Sequence, residues 1–206
     1  MKKLLLTSLL CGAASFATLS AASADVMDRT SLGPYIGVQG GYTFAEDEVG
    51  GTDIDVDGGN YGVFVGFQAD TLLNNTVNRL GIGLTGAIEA HYNWSDADDS
   101  EGGVSIEKNH DWGVSFRPGL NFISDATPLN LNPYGIIGYR RAEFEASGGG
   151  FDAEEDFDGF ELGLGTELVA YDNVGIRAEY SYTWYSEEDD IDPSEHNVRI
   201  GAAYHF

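Results

Sequence analysis

Three groups of residues in this sequence have the chemistry of a functional site, and the first is a run of alternate carboxylates. It consists of Asp53, Asp55 and Asp57. Carboxylates at this spacing begin the twelve-residue loop that wraps a calcium ion in an EF-hand. The twelfth position of such a loop should be Glu, and here it is Phe64. We therefore expect no dedicated metal site and no cofactor beyond loosely bound calcium or magnesium at the acidic loops.

The four histidines form the second group, because a histidine beside a serine can activate it as a nucleophile. They are His91, His110, His196 and His205. None of them has a serine two positions further along the chain, which is the next position on the same face of a strand. We predict that they are ordinary structural or loop histidines and that the chain has no catalytic residues.

Charged residues at alternate positions within apolar segments are the third group. There are five basic and five acidic ones, namely Arg79, Glu89, Arg117, Arg141, Glu143, Glu161, Glu167, Arg177, Glu179 and Arg199. Alternation places them opposite the apolar side chains, provided that the fifth segment keeps its phase from Tyr134. Charges enclosed in a narrow interior must be paired, because an unpaired one costs several kcal/mol. The balanced set predicts a lumen plugged by a charge network.

Segments with period-two alternation are the strands that would position these groups. Eight follow one another, over about residues 35–44, 61–69, 80–94, 112–122, 134–144, 160–168, 174–184 and 196–206. In the last of them, apolar side chains alternate with small or polar ones from Val198 to Phe206. Two features disturb the pattern: Pro118, which we interpret as a local bulge, and the poor alternation of the fifth segment.

The connections between the segments differ in character from one end of the strands to the other. Residues 45–60, 95–110, 145–158 and 185–195 are long and acidic, whereas 70–78, 123–132 and 171–173 carry few charges. Aromatic residues lie at both strand ends, as in the two girdles of a membrane barrel. The sequence therefore predicts an all-β fold. We expect an eight-stranded antiparallel up-and-down transmembrane β-barrel with four long acidic extracellular loops and short periplasmic turns.

The amino terminus indicates export. Lys2 and Lys3 precede an apolar stretch that ends in Ala22-Ser23-Ala24. This is the pattern of a secretory signal peptide, so we predict a signal over residues 1–24, cleaved after about Ala24, and a barrel domain over residues 25–206. The one cysteine lies within the signal, which excludes disulfides from the mature chain. An even number of strands places both termini in the periplasm of a Gram-negative bacterium, with the barrel in its outer membrane.

The charge balance excludes one class of partner. The chain has 34 acidic residues and 10 basic ones, two of which belong to the predicted signal. Nucleic acid binding requires a basic surface, so nucleic acid is excluded as a partner.

Three short motifs carry a resemblance to a known family. They are Pro34-Tyr35-Ile36-Gly37, Asn132-Pro133-Tyr134-Gly135 and the ending Tyr204-His205-Phe206. From Gly33 to Phe206 the chain resembles the small eight-stranded outer-membrane barrels of the opacity and OmpA type, often labelled "porin family". The resemblance implies that Phe206, with Tyr204, is the signal recognised by the outer-membrane assembly machinery. It also implies contact with outer-membrane lipid and lipopolysaccharide.

The function within this family is left open by the fold alone. We expect a non-enzymatic barrel with a structural or surface-binding (adhesion) role, whose acidic loops attract a cationic or host-surface ligand. One alternative is a narrow porin for small solutes, which discrete single-channel conductance would favour. The other is a barrel enzyme that modifies lipid A through a Ser–His pair, which hydrolysis or acyl transfer on lipid A would favour.

Overall fold

The computed structural model describes residues 30–49, 52–72, 82–101, 104–123, 129–148, 151–171, 173–186 and 194–206. These residues form eight strands: β1 (Thr30–Val49), β2 (Thr52–Leu72), β3 (Ile82–Glu101), β4 (Val104–Ile123), β5 (Leu129–Gly148), β6 (Phe151–Ala170), β7 (Val174–Tyr185) and β8 (Ser194–His205). Each strand pairs antiparallel with its neighbours in sequence, and β1 pairs with β8, so the sheet closes into a barrel. The predicted eight-stranded antiparallel β-barrel is confirmed. No helix long and apolar enough to cross a membrane occurs in the described ranges.

The barrel wall is inverted relative to a water-soluble protein. Large apolar side chains point outward, and some of them are more exposed than buried: Leu164 is 71% exposed and Ile200 is 64% exposed. The buried set is dominated by polar and charged side chains, which point into the lumen. Strict alternation along β7 and β8 produces both faces from one sequence pattern. An apolar outer wall is stable only in an apolar solvent such as lipid.

The first six strands run further than the alternation predicts. Each has 20 or 21 residues, and β7 and β8 have 12. Val49 pairs with Thr52, Glu101 with Val104, and Gly148 with Phe151. Much of three segments predicted as long loops is therefore paired strand. We call the end of the barrel where these hairpins lie the hairpin end, and the opposite end, where Tyr35 and Phe206 lie, the terminal end.

In the part of the chain that the structure describes, the hairpins do not continue the barrel as a closed cylinder. Among these residues, the pairing of β2 with β3 reaches only Asn60 and Ser95, and that of β6 with β7 reaches only Gly159 and Tyr185. Beyond these points, β3 to β6 remain paired with one another as one sheet, and β1 remains paired with β2 and, as far as Glu46, with β8.

The predicted facing of β5 is wrong. Arg140 is fully buried, whereas Tyr139 and Arg141 lie on the outer wall. Tyr134 points inward, where its hydroxyl donates to Glu179. The prediction failed because β5 contains the doublets Ile136-Ile137 and Arg140-Arg141. Identical neighbouring residues do not indicate which of the two faces the lumen. Pairing with both neighbours decides the facing.

Pro118 is not a bulge, contrary to our prediction. The β4–β5 register passes from Phe116 paired with Ile137 to Gly119 paired with Tyr134 without a shift. A proline has no N–H to donate, so pairing is interrupted there without an inserted residue. The irregularity of this ladder lies between Lys108 and His110, where Asn109 is left over.

Candidate functional site: the charged lumen

The lumen holds most of the charges that alternation assigned to it. Seven of the ten predicted residues point inward and are nearly or fully buried: Glu89, Arg117, Glu161, Glu167, Arg177, Glu179 and Arg199. Arg79 lies outside the described residues. Arg141 and Glu143 lie on the outer wall because β5 has the opposite phase.

Four of these residues form a closed ring of charge, which we call the central quartet: Glu89, Arg117, Arg177 and Glu179. Both arginines contact both glutamates. Arg117 Nη2 lies 2.6 Å from Glu89 Oε1, and its Nη1 is paired with Glu179 Oε1. Arg177 Nη1 lies 2.6 Å from Glu89 Oε2, and its Nε lies 3.1 Å from Glu179 Oε1. The quartet is neutral and joins β3, β4 and β7 across the lumen.

Neighbouring side chains complete the hydrogen bonding of the quartet. Tyr35 donates to Glu89 Oε2 at 2.9 Å, and Tyr134 donates to Glu179 Oε1 at 2.6 Å. Arg177 Nη2 donates to Gln39 Oε1 at 2.6 Å, and its guanidinium lies 3.4 Å from the centroid of the Phe64 ring. Such charge-assisted bonds are needed to offset the desolvation of buried ions.

A second group of charges lies nearer the hairpin end, and we call it the upper cluster. It consists of Lys108, Asp111, Arg140, Glu161, Glu195 and Arg199. Arg140 connects it, with Nη2 2.9 Å from Glu161 and Nη1 3.0 Å from Glu195. Lys108 Nζ lies 3.2 Å from Asp111 and 2.6 Å from Glu195. Arg199 Nη2 lies 3.3 Å from Glu161. Three cations and three anions make this cluster neutral as well.

Aromatic side chains cover the upper cluster toward the hairpin end. Phe144, Phe157 and Tyr185 pack edge to face, with ring centroids 5.7 Å and 6.2 Å from that of Phe144. Tyr185 also donates to Glu195 Oε2 at 3.1 Å. The aromatic group therefore restricts access of water to the buried ion pairs.

Four members of the upper cluster were missed by the sequence interpretation: Lys108, Asp111, Arg140 and Glu195. Asp111 and Glu195 have the same parity as inward neighbours in β4 and β8, so a longer strand assignment would have included them. Arg140 was missed because the predicted facing of β5 placed Arg141 in the lumen instead. Lys108 was placed in a loop, and no local pattern indicates the bulge that turns it inward.

Glycines on the inner wall leave room for these long side chains. A Cβ atom added to Gly66 would overlap the ring of Tyr35, and one added to Gly165 would lie 2.5 Å from the ring of Tyr134. These are the two tyrosines that donate to the central quartet. The close approach of side chain to backbone therefore requires glycine at both positions.

The space left between the side chains is small. A cavity of about 20 Å³ lies on the terminal side of the quartet, and its lining includes Gln68, Thr85, Asn132 and Glu167. This volume is about that of one water molecule or one small ion. Within the described strands, the lumen is therefore a packed polar core.

The outer wall carries its own polar groups at the hairpin end. Arg141 Nη2 lies 2.8 Å from Asp156, and its Nη1 lies 3.3 Å from Asp158. His110 Nδ1 lies 3.3 Å from Glu143. Below them, the rings of Tyr61 and Trp94 stack with centroids 5.7 Å apart, and those of Phe160 and Trp184 stack with centroids 6.1 Å apart. The stacked rings lie at the position of an interfacial girdle.

The histidines divide between the two faces of the wall. His91 is buried in the lumen, and His205 lies at the inner edge of the terminal end, where Nε2 is 3.2 Å from Glu167. His110 and His196 lie on the outer wall, where His196 Nδ1 is 2.6 Å from the hydroxyl of Tyr180. The residue two positions after His110, where a His-x-Ser pair would require serine, is Trp112.

The acidic run predicted to hold calcium lies in the β1–β2 hairpin. Asp57 is exposed there, and the side chains of Asp53 and Asp55 lie outside the described residues. Among the described residues no group of three or more His, Cys, Asp or Glu side chains is placed to hold a metal ion.

The last residues complete the barrel wall. Tyr204 and Phe206 point outward with ring centroids 5.0 Å apart, and Phe206 is 72% exposed. The backbone N–H of Phe206 donates to Pro34 O at 3.1 Å. The final residue is thus held at the β1–β8 seam.

Known proteins resemble this chain in sequence. The family model for the outer membrane protein beta-barrel domain matches residues 13–206. A 22 kDa outer membrane protein of Rhizobium leguminosarum bv. viciae is 29% identical over 127 residues, which cover 58% of this chain and 57% of that protein. The chain thus matches a little over half of the length of this relative.

Solved structures show likenesses at low sequence identity. The crystal structure of Ail, the attachment invasion locus protein of Yersinia pestis, was solved in complex with the heparin analogue sucrose octasulfate. It is 17% identical with a TM-score of 0.44, covering 84% of this chain and 99% of that one. A major outer membrane protein of Thermus thermophilus is 15% identical with a TM-score of 0.47, covering 84% and 99%.

The apolar outer wall, the closed barrel and the match over residues 13–206 lead to one conclusion. This chain belongs to the outer membrane protein beta-barrel domain family and is a protein of the bacterial outer membrane.

Proposed function

We propose that this protein is a non-enzymatic outer-membrane barrel with a closed lumen, which acts by binding partners at its hairpin end. The observation that carries the proposal is the packing of ten charged side chains into two neutral groups across the lumen. These groups join strands on opposite sides of the barrel. A solute would have to separate several buried ion pairs to pass, and each broken pair costs several kcal/mol.

A porin function is disfavoured by the same packing. The cavity next to the quartet has room for about one water molecule, and aromatic side chains cover the upper cluster. A conducting pore needs a continuous path for water and ions.

An enzymatic function is disfavoured by the outer wall. His110 has an acidic neighbour in Glu143, but the next residue on the same face of its strand is Trp112 and not a serine. His196 is engaged by Tyr180 and Tyr182. In the part of the chain that the structure describes, neither outer histidine forms the Ser–His pair required for lipid A modification.

The hairpin end supports a binding role. Among the described residues, residues 151–158 of β6 have a sheet partner on one side only, apart from the bonds of Ser186 to Asp158 O. An open strand edge can accept an extended segment of another protein as an additional strand. Alternate residues of this edge are Asp152, Glu154, Asp156 and Asp158. We therefore expect a cationic segment, such as one on a host surface protein, as the ligand.

Cations and lipids are the other expected partners of this end. We place the hairpin end outside the cell and the terminal end in the periplasm. Crowded carboxylates there repel one another, and calcium or magnesium would reduce this repulsion. The same ions could bridge the hairpins to the phosphates of neighbouring lipopolysaccharide. The carboxylates of Asp53, Asp55 and Asp57 belong to this acidic surface rather than to a dedicated site.

The closed lumen is tested by electrical recording. The purified barrel, reconstituted in planar bilayers, should show no discrete conductance steps, while a general porin in the same lipid shows them. Stable unitary steps from the folded barrel would favour the porin instead.

Binding is tested with basic peptides, host matrix proteins and lipopolysaccharide on the immobilised barrel. Binding of the cationic ligand should weaken as salt is raised. It should also weaken when Asp152, Glu154, Asp156 and Asp158 are changed to amides. The matched control changes Glu46, Asp47, Glu48 and Asp55 of the β1–β2 hairpin, which removes the same charge elsewhere. Equal losses of binding in both variants would argue against the β6 edge as the binding site. Turnover of lipid A by the barrel would argue for an enzyme.

A further inference from the structure

Within the described strands, Glu167 is the one buried lumen carboxylate outside the two neutral groups. The central quartet contains two cations and two anions, and the upper cluster contains three of each. Glu167 is only 7% exposed and belongs to neither group. Although β7 places Arg177 opposite it, that guanidinium is turned toward Glu89 and Glu179. Among the described residues, the ion-pair neighbour of Glu167 is His205, at 3.2 Å.

Two buried amide oxygens on the inner wall at the terminal end lack hydrogen-bond partners. Asn132 pairs with Glu167 across β5 and β6, and its side chain is buried with Oδ1 unpartnered. Asn121 lies one residue before Phe122, which pairs with Leu131, so it is next to Asn132 on the inner wall. The Oδ1 atom of Asn121 is also buried and unpartnered. A buried acceptor without a partner is costly, so each of these oxygens needs a further partner such as a water molecule or an ion.

Glu167 and Asn132 lie beside an existing space. Both line the cavity of about 20 Å³, together with the hydroxyl-bearing Thr85 and the amide of Gln68. Arg117 and Arg177 also line it, but both are neutralised within the quartet. Among the described residues, the cavity therefore offers one carboxylate that belongs to neither neutral group, and several neutral oxygen ligands, in a volume that fits one small ion.

We propose that this cavity binds a single hard monovalent cation of about the size of sodium, held by Glu167 and Asn132, with Thr85 and Gln68 as further oxygen ligands. Oxygen ligands suit hard cations, and a single carboxylate is a low charge count for a calcium site. The ion would balance the carboxylate that is in excess among the described residues and satisfy the amide oxygen of Asn132 at once. The site is independent of the hairpin end and of the proposed binding function.

The test compares thermal unfolding of the barrel, purified in detergent, in sodium chloride and in N-methylglucamine chloride at equal ionic strength. The organic cation screens charge equally well but is too large for the cavity. Sodium should raise the unfolding midpoint by about 3 °C. The gain should disappear in Glu167→Gln and shrink in Asn132→Ala. It should persist in Asp158→Asn, which removes an exposed carboxylate at the opposite end of the barrel.

Two further variants and measurements separate the alternatives. In His205→Asn the gain in midpoint with sodium should persist, because the proposal makes the sodium ion, and not His205, the counterion of Glu167. Sodium NMR linewidths should broaden with the wild-type barrel and not with folded Glu167→Gln, whose folding is checked by its heat-modifiable gel mobility. Equal midpoints in the two salts would overturn the proposal. So would a gain that survives in Glu167→Gln, or a Glu167-dependent gain with calcium and none with sodium.

Discussion

Lys108 and Glu195 are 87 residues apart in sequence, yet Lys108 Nζ lies 2.6 Å from Glu195 Oε2 in the lumen. Both side chains are essentially fully buried. The contact joins β4 to β8 across the barrel, and a bulge at Asn109 makes it possible. Segments that the composition suggests are solvated acidic loops therefore provide part of the packed interior.

Removing Lys108 should destabilise the barrel. Lys108→Met leaves Glu195 and Asp111 without one of their counterions, and we expect a loss of about 3–5 kcal/mol in the free energy of unfolding. Adding Glu195→Gln should restore part of the loss, because the uncompensated charge is then removed. A double-mutant cycle by urea unfolding in micelles measures the coupling. Additive effects would mean that the two side chains do not interact.

Substitutions of the neighbouring Arg140 and Arg141 in β5 should differ in their effect on the free energy of unfolding. Arg140→Ala removes a fully buried cation from Asp111, Glu161 and Glu195, so we expect a loss of about 3–5 kcal/mol in unfolding free energy. Arg141→Ala removes an exposed pair on the outer wall and should leave stability nearly unchanged. Urea unfolding of the two variants checks the facing of β5. A larger effect at Arg141 would restore the phase that the sequence alone suggested.

Glycine is required at position 66 but not at position 40. In Gly66→Ala the new methyl group would overlap the Tyr35 ring and displace the hydroxyl from Glu89. We expect a cost of about 1–3 kcal/mol, as for other overpacked cores. Gly40→Ala is the control, because its Cβ would lie 3.6 Å from Asn60 O. The comparison uses urea midpoints, and equal stability of the two variants would show that Tyr35 is free to move.

Phe206 should matter for assembly more than for packing, since its side chain is largely exposed. Deletion of Phe206 should reduce the yield of heat-modifiable barrel in outer-membrane fractions and increase degradation. Val174→Ala changes another exposed apolar residue beside Tyr204 at the terminal end and should assemble normally. Normal yields from the deletion would remove the basis for Phe206 as an assembly signal.

Strand number and the identity of the outer wall could be predicted from the sequence. The alternation from Val198 to Phe206 already places Ile200 and Tyr204 on the lipid side, and the structure has them there. Facing is a local property wherever apolar and polar residues alternate strictly, because successive side chains of a strand point to opposite faces. For the same reason Glu89, Arg177 and Glu179 were assigned to the lumen from their positions alone.

Tertiary structure alone decided which charges meet. Arg140 and Arg141 fit either face of an isolated strand, and only pairing with β4 and β6 selects Arg140 for the lumen. Lys108 turns inward because of a bulge, which exists only between paired strands. Ion pairs such as Lys108–Glu195, and the cavity at Glu167, depend on barrel closure. Closure brings together side chains that are remote in sequence, so no pattern within a single strand encodes them.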